Sequence, residues 1–170
     1  MQAGGDFDVY DVREPSNDPN PPETYSKYIA RPDIMKAIGA RSDYQECADA
    51  PGQKFGATGD EYRSTLPDLS EVIKAGVNVL VWAGTADYIC NVDGSIAVAN
   101  AVDFSGHDEF QGKALEAYKV NGKEVGQFKS VDNFHLLTVY DAGHEVPYYQ
   151  PETALQAFTQ ILQKKPLSST

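Results

Sequence analysis

The apolar positions of the chain fall into runs whose period changes from helical to extended. Between Ser64 and Ala75, Leu66, Leu69, Val72 and Ile73 recur at the spacing of one helix face, which predicts a helix packed by that face. The run Val77-Asn78-Val79-Leu80-Val81-Trp82-Ala83-Gly84 follows directly, nearly all apolar and rich in β-branched residues, as a buried parallel strand should be. A polar loop, Thr85 to Asn91, leaves that strand, and the alanine-rich stretch Gly94 to Val102 predicts a further helix. Asn121-Gly122 sits between two alternating runs from Tyr118 to Phe128, the pattern of a β-hairpin, read here as a surface ribbon. His135 to Tyr140 predicts a second sheet strand, Asp141 to Gln150 a loop, and Pro151 to Gln163 an amphipathic helix opened by Pro and Glu.

Upstream the pattern is weaker. Residues 1–32 carry Gly4-Gly5, Pro15, Pro19, Pro21, Pro22 and Pro32, which predicts an irregular segment. A short helix is expected from Asp33, with Ile34, Met35 and Ile38 on one face and Gly39 at its end, and residues 48–60 read as a loop because of Pro51-Gly52, Gly56 and Gly59. Helix, strand, loop, helix, hairpin, strand, loop, helix is the order of an α/β fold, expected as a mostly parallel sheet covered by helices on both faces. In such sheets the reactive groups sit beyond the C-terminal ends of the strands.

Composition narrows the function classes. With 41% hydrophobic and 23% charged residues in 170, the chain can bury the core of a single domain. Fourteen Lys and Arg against 25 Asp and Glu leave a formal charge of −11, which repels nucleic-acid backbones. The longest apolar stretch, Val77 to Gly84, is far below the roughly 20 residues of a membrane span. Met-Gln-Ala-Gly-Gly-Asp carries neither a basic segment nor an apolar h-region, so this start does not read as a signal peptide. Cys47 and Cys90 show no paired spacing of a zinc or thioredoxin site, and no cluster along the chain calls for a metal or organic cofactor.

Two loops carry the candidate chemistry. Asp87 follows the first predicted sheet strand and His144 the last, so both project towards the same sheet edge. A buried carboxylate that orients an imidazole is two thirds of the apparatus for acyl transfer, and in α/β-hydrolases the chain order is Ser, Asp, His. No serine of this chain lies in a G-x-S-x-G elbow, so this chain alone would be catalytically dead by this mechanism. His107 and His135 have no comparable setting.

The segment Val79-Leu80-Val81-Trp82-Ala83-Gly84-Thr85-Ala86-Asp87-Tyr88-Ile89-Cys90-Asn91 resembles the catalytic-aspartate segment of the serine carboxypeptidases, the family of carboxypeptidase Y. Asp141-Ala142-Gly143-His144-Glu145-Val146-Pro147 resembles the catalytic-histidine segment. Tyr10-Asp11-Val12-Arg13 and Tyr44-Gln45-Glu46-Cys47 resemble segments lying between nucleophile and aspartate in that family. The resemblance implies the C-terminal part of an α/β-hydrolase with a cap insertion, residues 1–75 being the end of the cap and a lead-in helix and 76–170 the C-terminal part of the core. It implies Asp87 and His144 as catalytic residues, with the serine and oxyanion hole on an N-terminal companion chain disulfide-linked through Cys47. Cys90, with Ile89 beside it, is expected at the border of the S1 pocket as a lining thiol, not a nucleophile.

Specificity departs from carboxypeptidase Y at Glu145, where that enzyme has a methionine, and at Glu61, which aligns with an S1-wall tryptophan. A carboxylate in a low-dielectric pocket favours cationic side chains, so tolerance for Lys or Arg flanking the scissile bond is expected. The implied setting is secreted or vacuolar, the implied substrates are peptides, and no nucleic-acid or membrane partner is expected. The alternatives are a hydroxynitrile lyase or acyltransferase sharing the triad, and a non-catalytic binding module derived from a hydrolase.

Overall fold

The computed structural model describes residues 6–16, 24–41, 44–45 and 48–170, in two compact units. One unit spans residues 19–64; the other joins the segment up to 18 to everything from 65 onwards. The smaller unit is helical: α1 (Thr24–Ile29), α2 (Pro32–Ile38), α3 (Asp49–Thr58) and a 3-10 turn (Asp60–Tyr62). Helix α2 ends as its sequence predicts, on Gly39 at φ 71°, whose N–H reaches Lys36 and Met35 carbonyls. Two expectations fail in this unit. Residues 24–29 are helical rather than irregular, and residues 49–58 form a helix where Pro51-Gly52 and Gly56 suggest a loop. Proline is tolerated in a first helical turn, and the glycine that stops α3 is Gly59, at φ 75°.

The larger unit holds one four-stranded sheet. Its strands are β1 (Val79–Gly84), β2 (Glu116–Val120), β3 (Lys123–Val131) and β4 (Phe134–Val139), in the order β1-β4-β3-β2. Only β1 and β4 are parallel, so among the described residues the sheet is mixed, not mostly parallel. The connections explain this. Asn121 and Gly122, at φ 52° and 77°, make a turn with both central residues left-handed, and Asp132, at φ 50°, turns β3 into β4; links this short join only antiparallel neighbours. The hairpin is no surface ribbon either. Tyr118 is fully buried, β3 pairs with β4 from Gly126 to Val131, and the two hairpin strands make half the sheet.

Both sheet faces are covered, as alternation along the strands requires. On one face Phe134, Leu136, Val79 and Val81 pack with Ile73 of α4 (Leu66–Lys74), Ala99 of α5 (Val92–Ala101) and Phe110 of α6 (His107–Gly112). On the other, Leu137, Val139, Leu80, Trp82 and Tyr118 pack with Val146 of α7 (Val146–Tyr149) and Ala154 and Ala157 of α8 (Pro151–Leu162). Helix α6 and the single turn α7 were not anticipated from the sequence, being too short to show a period. Parallel pairing aligns Gly84 with Val139, so β1 and β4 end side by side and release their loops at one edge.

Candidate active site

The two loops are stitched together before any reactive group is placed. Thr85 N–H donates to Val139 O at 2.9 Å, Ala86 N–H to Ala142 O at 2.8 Å, and Asp141 N–H to Thr85 Oγ1 at 3.1 Å. Gly84 is where the loops cross, and a Cβ there would run into the carbonyl oxygens of Ala142 and Gly143. Asp87 and His144 meet as a result. His144 Nδ1 lies 2.9 Å from Asp87 Oδ2, with the Asp87 side chain buried and that of His144 38% exposed. The other carboxylate oxygen, Oδ1, accepts the Cys90 N–H at 3.0 Å. The aspartate is thus fixed at both oxygens, and the imidazole is held through Nδ1 with its side chain partly exposed.

A third segment, irregular in its sequence pattern but carrying the family-like run Tyr10-Asp11-Val12-Arg13, holds both loops. Val12 N–H donates to Ala86 O, while Tyr88 and Ile89 N–H both donate to Val9 O; on the other side His144 N–H donates to Tyr10 O at 2.8 Å. The Tyr10 ring lies 5.2 Å from the His144 ring. Asp11, fully buried, takes a two-pronged ion pair from Arg13, and Arg13 in turn stacks over Tyr149 at 5.3 Å. Burial pulls the Asp11 carboxyl up, but the Arg13 hydrogen bonds and charge outweigh it and hold it below the usual range. Burial, followed by the charges of Asp11, Glu145, Glu14 and Asp8, pushes Tyr149 up to about 12. The sequence signal for this strap is the family-like run Tyr10-Asp11-Val12-Arg13, which says nothing of its contacts because it carries no periodicity.

The remaining predicted residues divide. Cys90 is an exposed free thiol beside Asp87; burial of the sulfur and then the Asp87 charge push its pKa up, which disfavours a nucleophilic thiolate. Ile89, half exposed, lies on the same loop. Glu145 follows His144 and is half-buried, and its Oε2 is buried without a hydrogen-bond partner. Glu61 lies in the other unit, exposed on the 3-10 turn. Cys47 falls outside the described residues. Among them, Asp87, Cys90 and His144 offer one group of metal-ligand type, with donor atoms all within 4.8 Å of one another. No helix among the described residues is long and apolar enough to cross a membrane.

A sheet that delivers an aspartate and a histidine, hydrogen-bonded, from the ends of two adjacent strands holds two of the three groups that an acyl-transfer triad uses. The sequence model of the serine carboxypeptidase family matches residues 8–164, and the chain belongs to that family. It is 64% identical over 170 residues to carboxypeptidase S1 of Penicillium janthinellum, a match covering all of this chain and 40% of that protein. To carboxypeptidase Y of Schizosaccharomyces pombe it is 38% identical over 156 residues, covering 88% of this chain and 16% of the relative. A prohormone-processing carboxypeptidase from Saccharomyces cerevisiae shares the fold, with a TM-score of 0.68 at 19% identity over 92% of this chain and 36% of that one. The chain therefore spans less than half the length of these relatives.

Proposed function

We propose that this chain is the C-terminal part of a serine carboxypeptidase that releases C-terminal amino acids from peptides through an acyl-enzyme. The observation that carries this reading is the 2.9 Å bond between His144 Nδ1 and Asp87 Oδ2, at the mouth formed by β1 and β4. The chain has no serine in a nucleophile elbow, so the nucleophile and oxyanion hole belong to an N-terminal companion, linked through Cys47. In this reading residues 1–75 are the end of the cap and a lead-in helix, and residues 76–170 the C-terminal part of the α/β-hydrolase core. The setting is secreted or vacuolar.

The chemistry follows from the protonation states. Asp87 keeps the proton of neutral His144 on Nδ1, leaving the Nε2 lone pair to take the serine proton as Oγ adds to the scissile carbonyl carbon. The imidazolium so formed is stabilised by the buried carboxylate. When the C–N bond breaks, Nε2–H protonates the departing amine of the C-terminal residue; a water then enters, loses a proton to Nε2 and releases the acyl group. Ile89 and Cys90 line the S1 pocket. Glu145 favours a basic residue beside the scissile bond, and its unpartnered buried oxygen supports this, since such an acceptor is costly until a donor reaches it.

The test is C-terminal amino-acid release from blocked dipeptides by the complete enzyme. Asp87→Asn is expected to lower kcat by roughly 10⁴-fold without loss of fold, because the amide favours the wrong imidazole tautomer. Activity within a few-fold of the parent would remove Asp87 from the mechanism.

A further inference from the structure

The residues that follow α8 close the outer edge of the sheet. Strand β2 is last in the order β1-β4-β3-β2, so its far side has no strand to pair with among the described residues. Lys164, at φ 54°, and Pro166 end α8 and turn the chain back. Leu167, 4% exposed, then anchors in the core cluster that holds Tyr118 and Ala157. The next three residues take the edge. Ser169 Oγ donates to Ala117 O at 3.0 Å and accepts the Lys119 N–H at 2.8 Å, one hydroxyl standing in for a rung of the ladder. Thr170 N–H donates to Lys119 O at 3.0 Å, Thr170 O accepts the Gly122 N–H at 2.8 Å, and Thr170 Oγ1 accepts the Asn121 N–H at 3.2 Å. From α8, Gln160 accepts the Ser168 N–H at 3.2 Å and donates to the Ser168 carbonyl at 2.8 Å, while Gln156 Oε1 accepts the Thr170 hydroxyl at 2.6 Å.

We propose that residues 167–170 are a clasp that withholds this end of the chain from exopeptidases, including the carboxypeptidase activity of the enzyme itself. Stepwise removal of C-terminal residues needs them detached and extended in a cleft, with the scissile carbonyl open to attack. Here the backbone groups of Ser168 and Thr170 and the hydroxyls of Ser169 and Thr170 are all engaged. Trimming has to wait for the clasp to open, and its rate falls with the fraction of molecules that are open. Wherever the C-terminal end lies, trimming that proceeds inward stops on reaching Thr170. The local sequence suits this, since Ser-Ser-Thr brings donors and acceptors to the edge without bulk and Leu167 supplies the apolar hold. Resistance to exopeptidases in general is a property of the fold; only resistance to the enzyme itself rests on the carboxypeptidase reading.

The test incubates the complete enzyme, with its serine-bearing part, alone and with an added metal-dependent carboxypeptidase of broad specificity, and follows the mass of this chain with time. A free peptide of residues 160–170 reports the trimming rate without the clasp. Thr170 is expected to persist in the wild type roughly 100-fold longer than in the peptide, or more. Leu167→Ser removes the anchor, and Gln156→Ala removes the partner of the Thr170 hydroxyl and of the Lys119 carbonyl. Both variants are expected to lose residues 170 to 168 in turn, at least tenfold faster than wild type, with hydrolysis of blocked dipeptides unchanged. A wild type trimmed as fast as the peptide, or variants as resistant as the wild type, would overturn the proposal. If the enzyme alone left even the peptide intact, the carboxypeptidase reading would fall, and the added carboxypeptidase would still decide the clasp.

Discussion

At the residue scale the site depends on groups that are individually ordinary and collectively constrained. Asp11 makes no contact with the Asp87 carboxylate in the hydrogen bonds described, yet it anchors the strap whose neighbouring Tyr10 carbonyl receives the His144 N–H. Asp11→Asn keeps the shape and removes the charge that holds Arg13, so kcat is expected to fall by roughly tenfold or more with KM little changed; an unchanged kcat in steady-state kinetics would detach the strap from catalysis. Glu145→Met tests the unpartnered carboxylate. The ratio of basic to hydrophobic substrates, read as kcat/KM, is expected to drop by about tenfold, or roughly 1.4 kcal/mol. Asp87 and His144 were legible in the sequence because each follows a strand that announces itself. The Asp11–Arg13–Tyr149 linkage was not, although Asp11 and Arg13 stand in a family-like run, because tertiary contacts across segments of no regular period join them.

At the scale of elements, the strand β4 carries a buried titratable group that no chemistry uses. His135 is almost fully buried, its Nε2 lies 2.9 Å from Asn78 Oδ1, its Nδ1 has no partner, and burial pulls its pKa down to about 4 from an ordinary 6.5. The unfolded chain takes up the proton near pH 6.5 and the folded one only near pH 4, so stability is full above pH 6.5 and is lost as the pH falls towards 4. The loss is about 3 kcal/mol at most, and below pH 4 it stops growing. Denaturant midpoints of wild type and His135→Gln, measured at pH 7 and pH 4.5, should show a larger acid-induced drop in the wild type; equal drops would assign the lability to other groups. Gly84→Ala is expected to disrupt the crossing of the two loops and abolish activity, because its Cβ meets backbone oxygens rather than movable side chains. Retained activity in that variant would mean the loops can part without cost. Strand β1 and helices α4, α5 and α8 were readable from periodicity. The short turns were not, and the parallel expectation failed because strand pattern records burial on both faces, not the direction of the neighbour.

At the scale of the whole molecule, two surfaces of the larger unit look unfinished. Strand β1 has β4 on one side and no other strand among the described residues, and an open edge of this kind invites pairing. Beside it Trp82, Pro147, Ala154, Leu155 and Phe158 line an apolar groove of about 440 Å³, and Leu155, Phe158 and Leu162 expose more than half their surface along α8. The chain covers 40% of its 64%-identical relative, and these are the surfaces on which the companion proposed above would pack. The sequence shows that no serine here lies in a nucleophile elbow, but it gives no position for the proposed carrier of one. The most direct measurement is intact mass of the native protein, nonreduced and reduced, after labelling with a fluorophosphonate. The account predicts a larger species that reduction splits into this chain, unlabelled, and a companion carrying the label on its serine. A native species consisting of this chain alone, taking no label, would contradict it.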